Sequence, residues 1–365
     1  MSEIFDVALR DCVAFGETLR GDVGVRGGTM GALGSEVGAA RAEVACAGAF
    51  VSPAWVDSHI HLRSPATPGR IDPLTYGPAQ GVGALIDAGS APPARIAELI
   101  EARPWVYALA NIDSRGIRGR GEAPEIGGEA ADEGLARFPG RIRGIKVQAS
   151  QSVLGEVALK AIKNATRVAE RHGVPVMVHV GNPPPDLEAV CDLLRPGDVI
   201  THYAHGKPAG ATRDDGTPLP ALRRAHARGV LLDVGHGRSS FSFRRCRELL
   251  DAGIRPSIIS TDLHASSAEK PVVSLARTMS KLLELGLTAA EVIAAVTLAP
   301  ASAFGLEGYG GPLTMGAAAN ITLFRIDERE VETEDATGEK LVCGRWFQPL
   351  GCLVDGAWYE AETPV

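Results

Sequence analysis

The sequence predicts an α/β fold, a (β/α)8 TIM barrel joined to a small β-sandwich, on three observations. Between Pro53 and about Phe304, eight short apolar runs rich in β-branched residues alternate with helix-like stretches, the pattern of repeated βα units around a parallel sheet. The region spans about 250 residues, the size of one such barrel. The two chain ends instead carry short alternating segments with turn glycines and little helical periodicity, which predicts strands.

The eight runs, in order, are 54–60 (AWVDSHI), 82–88 (VGALIDA), 105–111 (WVYALAN), 142–148 (IRGIKVQ), 175–181 (PVMVHVG), 198–204 (DVITHYA), 229–235 (GVLLDVG) and 256–263 (PSIISTDL). Residues 158–173 place apolar side chains at helical spacing and stop at Gly173, a favourable left-handed C-terminal position. The stretch 274–286 likewise stops at Gly286. Thr288 with Glu291 three residues later reads as a capping box that opens the next helix. Segments 320–326 and 351–360 predict strands of the terminal unit. Neither end is long enough to bury a core alone, so residues 1–51 and 306–365 are expected to form one composite sandwich around a barrel of residues 52–305. The glycine-rich stretch 113–134 is a candidate lid or a simple surface excursion.

Composition narrows the function classes. With 45% hydrophobic and 22% charged residues, the 365-residue chain reads as a globular protein rather than a disordered one. A net charge of -7 without a basic stripe argues against a nucleic-acid partner. No apolar run of about 18 residues predicts a membrane span. The six cysteines contain no C-x-x-C pair, and Glu3 and Asp6 stand where a signal peptide carries positive charge, so a cytoplasmic protein with reduced thiols is expected. The nine histidines then need a role.

Residues at the carboxyl ends of barrel strands converge on one face. His59 and His61 end the first run as an H-x-H pair, and side-chain direction repeats every two residues along a strand, so both imidazoles point the same way. Lys146 sits late in the fourth run, His179 ends the fifth, His202 the sixth and Asp262 the eighth. Imidazoles and a carboxylate suit Zn2+ and similar divalent ions. A lysine ammonium has no lone pair, so Lys146 joins such a site only if deprotonated or carbamylated.

These residues resemble the amidohydrolase superfamily, the urease-related metal-dependent hydrolases, in the binuclear branch with dihydroorotases and hydantoinases. Segments 50–63 and 310–326 resemble that family's entry to and exit from the barrel. Segments 144–150, 176–184, 201–207, 233–243 and 260–264 are similar to its deacetylase-type members. The resemblance implies two divalent ions, Zn2+ foremost. His59, His61 and Asp262 would bind the more buried ion, His179 and His202 the more exposed one, and carboxylated Lys146 would bridge them. It further implies a bridging hydroxide as nucleophile and Asp262 as the proton shuttle. Ala54 departs from the usual glycine. Arg63 completes an H-x-H-x-R sequence similar to dihydroorotases, where the arginine contacts a substrate carboxylate, a task suited to a guanidinium fork.

Each residue alone has a bland reading: a strand histidine is more often a core or surface residue, and a lone lysine a snorkelling one. Their joint placement at strand ends favours the site. His205, His236 and His264 are candidate substrate-binding residues at the mouth, with loop hydrogen bonding as the alternative. His172 and His226 read as helix-terminus or surface residues, and Asp57 as a structural residue or a partner of the ligands. Ser239 and Ser240 read as turn residues, since no nucleophile elbow surrounds them. The expected function is a binuclear hydrolase of an amide or ester bond in a small carboxylate-bearing N-acyl or O-acyl compound. A cyclic-amide hydrolase of the dihydroorotase or hydantoinase kind and an inactive assembly subunit are the alternatives. The expected partner is a small molecule, and self-association into a homo-oligomer stays open.

Overall fold

The computed structural model describes residues 4–16, 20–34, 37–62, 71–101, 103–118 and 123–362. The chain opens with five strands, β1 (Phe5–Ala14), β2 (Arg20–Arg26), β3 (Thr29–Gly34), β4 (Ala40–Ala45) and β5 (Phe50–Pro53). It then enters the barrel through β6 (Trp55–Ile60), β7 (Val82–Asp87), β8 (Val106–Asn111), β9 (Ile142–Ala149), β10 (Val176–Val180), β11 (Val199–Thr201) and β12 (Leu231–Asp233). These seven pair in chain order, each parallel to the next. The helices predicted from periodicity form as Ala158–His172, Leu275–Glu284 and Ala289–Val296. Gly173 takes φ +63, and Thr288 and Glu291 make the reciprocal capping box.

The eighth run closes the barrel without forming a regular strand. Parallel bridges join Ile258 to Asp233 and Leu263 to Ile60. Between them the backbone leaves strand geometry, because Ile259 N–H donates to Ala295 O and Asp262 adopts φ +48. Inside the barrel, alternation separates two layers. Met177 and Val199 join Val56, Ile86, Leu109 and Ile258 in an apolar floor plugged by Phe304. Two residues further along their strands, His179 and Thr201 face the same interior at the carboxyl ends.

After the barrel the chain returns through β13 (Ile321–Glu334), β14 (Lys340–Val354) and β15 (Ala357–Glu360). Strand β13 pairs antiparallel with β5, placing Leu323 opposite Val51, so the two chain ends share one eight-stranded sheet separate from the barrel. Strands β13 and β14 run 14 and 15 residues, well past the segments their apolar pattern predicts. Their outer halves, charged along β13, pair as a ribbon. Its tip is docked by buried Asp335, whose carboxylate accepts from Thr337 N and Glu339 N, and across the domain from Phe243 N at 2.8 Å.

Trp55 joins the two units. Its fully buried ring lies 5.3 Å from that of Phe324 and 6.2 Å from that of Phe347, both on the terminal sheet. Trp55→Ala is expected to cost about 3–5 kcal/mol, read as a lowered denaturant midpoint. An unchanged midpoint would show that the ring does not carry the joint.

Candidate metal centre

Four imidazoles line up across the strand ends. Ring centroids are 5.4 Å apart for His61 and His59, 5.1 Å for His59 and His202, and 4.5 Å for His202 and His179. Asp262 closes the group: its Oδ1 lies 2.9 Å from His61 Nε2 and 3.4 Å from His59 Nε2. One ligand atom from each of His59, His61 and Asp262 falls within 4.8 Å of the others. Lys146 Nζ is 3.0 Å from His59 Nε2 and 3.3 Å from Met177 Sδ, and the side chain is buried.

Hydrogen bonds beneath the rings fix which nitrogens face the group. His202 Nδ1 lies 2.6 Å from the carbonyl of Gly235, which only accepts, so the proton sits on Nδ1 and the lone pair on Nε2. That Nε2 is buried and has no hydrogen-bond partner among the described residues. His59 Nδ1 is 2.9 Å from Thr201 Oγ1. With Thr201 holding Nδ1, the ring turns Nε2 inward, toward Lys146 Nζ. His61 Nδ1 is held by Ser90 Oγ at 2.8 Å. The unpartnered His202 Nε2 and the neighbouring imidazole nitrogens, beside a carboxylate and a buried amine with no acid hydrogen-bonded to it among the described residues, form a donor set that fits divalent cations.

Electrostatics agree with neutral imidazoles. Burial, reinforced by Lys146 and neighbouring histidines, holds His59 and His179 well below the ordinary imidazole value; burial lowers His202 to about 3. Burial alone would raise Asp262, but His59, His61 and His202 outweigh it and keep the carboxylate ionised. Burial lowers Lys146 to about 8 against the opposing pull of Asp262 and Asp233. Beneath the group, burial raises Asp57 to about 7 and Asp233 to about 6.

The backbone around Asp262 is built for this placement. Asp57 Oδ1 accepts from Thr261 N at 3.1 Å, and Asp262 N donates to His59 O at 2.7 Å. His202 and Asp262 both adopt positive φ, +70 and +48. Such conformations cost non-glycine residues energy and cluster at functional sites. A Cβ on Gly237 would collide with the Asp262 carboxylate, and one on Gly235 with Thr201 and His202. Glycines flanking His236 therefore let this loop approach the group closely.

A cavity of about 620 Å³ opens above, and His61, His179, Asp262 and His264 line it. Ser239 and Ser240 also line it, with no histidine base bonded to either among the described residues. His205 and His236 are buried in its wall and do not line it. His172 pairs with Asp132 at 2.7 Å on a helix end, and His226 bonds Val230 O. Arg63 lies outside the described residues. In the stretch 113–134, Ile117 lines the cavity and a helix already begins at Glu129.

Sequence reasoning missed several residues here. Lys281 lies on the helix Leu275–Glu284 yet is fully buried, donating to His236 Nε2 at 2.9 Å, Pro271 O at 2.7 Å and Glu334 O at 2.9 Å. Burial lowers it to about 7. One lysine on an amphipathic helix gives no sign of this. Lys207 also lines the cavity, and its position in the loop after the sixth run was the available signal.

A barrel with clustered imidazoles and a carboxylate at its strand ends defines the class: a metal-dependent hydrolase. The chain belongs to the amidohydrolase family, whose model matches residues 79–343. It is 35% identical over 319 residues to a protein named deacetylase from Brucella anthropi, covering 84% of this chain and 79% of that one. The crystal structure of an adenine deaminase superposes with a TM-score of 0.91 at 28% identity, covering 98% of this chain and all of that one. That of a dihydroorotase gives 0.89 at 32% identity, with the same coverage. Among the described residues no helix is long and apolar enough to cross a membrane.

Proposed function

We propose that this deacetylase-like hydrolase cleaves an amide or ester bond in a small carboxylate-bearing N-acyl or O-acyl compound, using two divalent ions. The convergence of His59, His61 and Asp262 within 4.8 Å at the floor of the cavity carries this reading. His59, His61 and Asp262 would hold one ion and His179 and His202 the other, and Lys146, once carbamylated, would serve as a further ligand. When bound, the ions activate water and polarise the scissile carbonyl.

The chain's own groups then handle orientation and protons. Asp262 Oδ1 faces His59 and His61, while Oδ2 stands 3.9 Å from His202 Nε2. Oδ2 is the atom that accepts the proton of the attacking water and returns it to the leaving nitrogen or oxygen. Thr201, Ser90 and the Gly235 carbonyl keep the imidazoles oriented throughout. His264 meets the substrate at the rim, and Arg63, the arginine of the H-x-H-x-R sequence, adds positive charge for its carboxylate. His205 and His236 act from behind the wall. Residues 52–305 carry this chemistry, and 1–51 with 306–365 form the supporting unit.

The test is a screen of N-acetyl and O-acetyl acids beside dihydroorotate and hydantoins, with zinc-loaded protein. Turnover of the acyl acids supports the reading, and turnover confined to the cyclic amides would replace it with the second. The dihydroorotase likeness at 32% identity favours that second reading.

Carbamylation gives a pH prediction. A neutral amine adds to CO2, forming N–COO⁻ and releasing one proton, so only deprotonated Lys146 reacts. With Lys146 lowered to about 8, its neutral fraction rises about fivefold between pH 7 and pH 8. Reactivation of metal-stripped protein by zinc at constant dissolved CO2 is expected to accelerate by that factor. A rate that is flat or falls over the interval would contradict it.

A further inference from the structure

The cavity separates charge from apolar surface. Lys207 extends from the loop after β11 and Arg238 from the loop after β12, whereas Ile117 and Val153 come from the loops after β8 and β9; all four line the cavity. Strands follow chain order around the sheet, so in an eight-unit barrel the sixth and seventh units adjoin on one side of the mouth and the third and fourth adjoin on another, the two pairs centred three positions apart. The first pair puts positive charge on one side of the mouth, and the second puts apolar side chains, with uncharged Gln148 and Ser152 beside them, on another.

The two cations differ in what they are free to do. Arg238 donates from one guanidinium nitrogen to the carbonyl of Ser266 at 2.7 Å. Lys207 is half-buried, and its Nζ has no hydrogen-bond acceptor among the described residues. Its charge reaches the catalytic floor, since it depresses His179 and His202 and is itself attracted by Asp262. Its backbone is held in place: Lys207 N–H donates to His205 Nδ1 at 3.2 Å. His205 is buried, and burial lowers it to about 4, so it stays neutral and accepts at that atom. A cation partly withdrawn from water, on a fixed backbone and with no carboxylate hydrogen-bonded to it among the described residues, is matched by an anion on the ligand.

We propose that Lys207 binds the substrate's carboxylate. The substrate then lies across the mouth with its anionic end toward Lys207 and Arg238 and its apolar body against Ile117 and Val153. The substrate class is an acyl derivative of a small monocarboxylic acid with an apolar side chain. This rests on the hydrolase reading above and adds the residue and the direction of binding.

The test compares N-acetyl-leucine with its primary amide. In Lys207→Met the acid-over-amide ratio of kcat/KM is expected to fall at least about tenfold, carried by KM for the acid, as loss of one charge-assisted contact predicts. Lys207→Arg is expected to keep most of the preference. An intact preference in Lys207→Met overturns the proposal, above all if Arg63→Ala removes it.

If the wild-type protein hydrolyses neither compound, the hydrolase reading fails on this class, and calorimetry on zinc-loaded protein still tests Lys207. The acid's Kd is expected to rise at least about tenfold in Lys207→Met, with a smaller change for the amide. Equal Kd in both proteins, or no binding of the acid to wild type at millimolar concentration, overturns the proposal.

Discussion

Asp262→Asn is expected to lower kcat by about a hundred- to ten-thousandfold, the range that a positioned acid–base group contributes, while leaving at least one equivalent of metal bound. Asparagine preserves the shape of the side chain and keeps an oxygen where Oδ1 approaches His61 Nε2 at 2.9 Å. It has no basic site to receive a proton. The carboxylate is also kept ionised by His59, His61 and His202, so the wild-type group is ready as a base across the neutral pH range. Steady-state kinetics on an N-acetyl acid, with metal analysis of the same sample, separates the two effects. Activity within about tenfold of wild type would remove Asp262 from the proton step. Loss of all metal would instead make its role purely structural.

The second large effect is expected at Lys146. Its amine is buried against His59 and Met177 with no carboxylate bonded to it among the described residues, an unusual setting for a permanent ammonium. Lys146→Ala is expected to lose metal occupancy and nearly all turnover. Truncation also leaves a polar-walled space above Met177 where a short carboxylic acid can supply the missing oxygens. Added acetate or propionate is therefore expected to restore part of both metal content and activity. A fully loaded and fully active variant would exclude a shared-ligand role for Lys146.

The barrel and the site candidates were legible for related reasons. A parallel barrel strand is buried on both faces, so its sequence is a continuous apolar run, and seven such runs became regular strands. A polar residue at the end of such a run is conspicuous, which is why His59, Lys146, His179 and His202 stood out. Where apolar content did not mark pairing, the reading fell short. The outer halves of β13 and β14, DEREVETE and KLVCGRW, are held by their pairing, by bonds to the helix Leu275–Glu284 and by the capping carboxylate of Asp335.

The eighth run has the composition of a strand, but its regular pairing gives way to the left-handed turn that aims Asp262 at the histidines. Local strand propensity yielded there to the demands of the site. Asp57 illustrates the opposite case. Two residues before His59, it reads as structural or supporting, and its bonds to Thr261 place it beneath the eighth segment, where it positions Asp262. Lys281 and its bond to His236 were invisible, since no local pattern says that a helical lysine points inward.

The central claim is that these strand ends hold two divalent ions that hydrolysis requires. The direct measurement is metal content per chain after zinc loading, repeated after chelation, with turnover of an N-acetyl or O-acetyl acid followed on the same samples. The account predicts two equivalents, loss of turnover as they are removed, and recovery when zinc and CO2 are returned. Hydrolysis that persists in fully stripped protein, or a chain that retains no metal at saturating zinc, would contradict it.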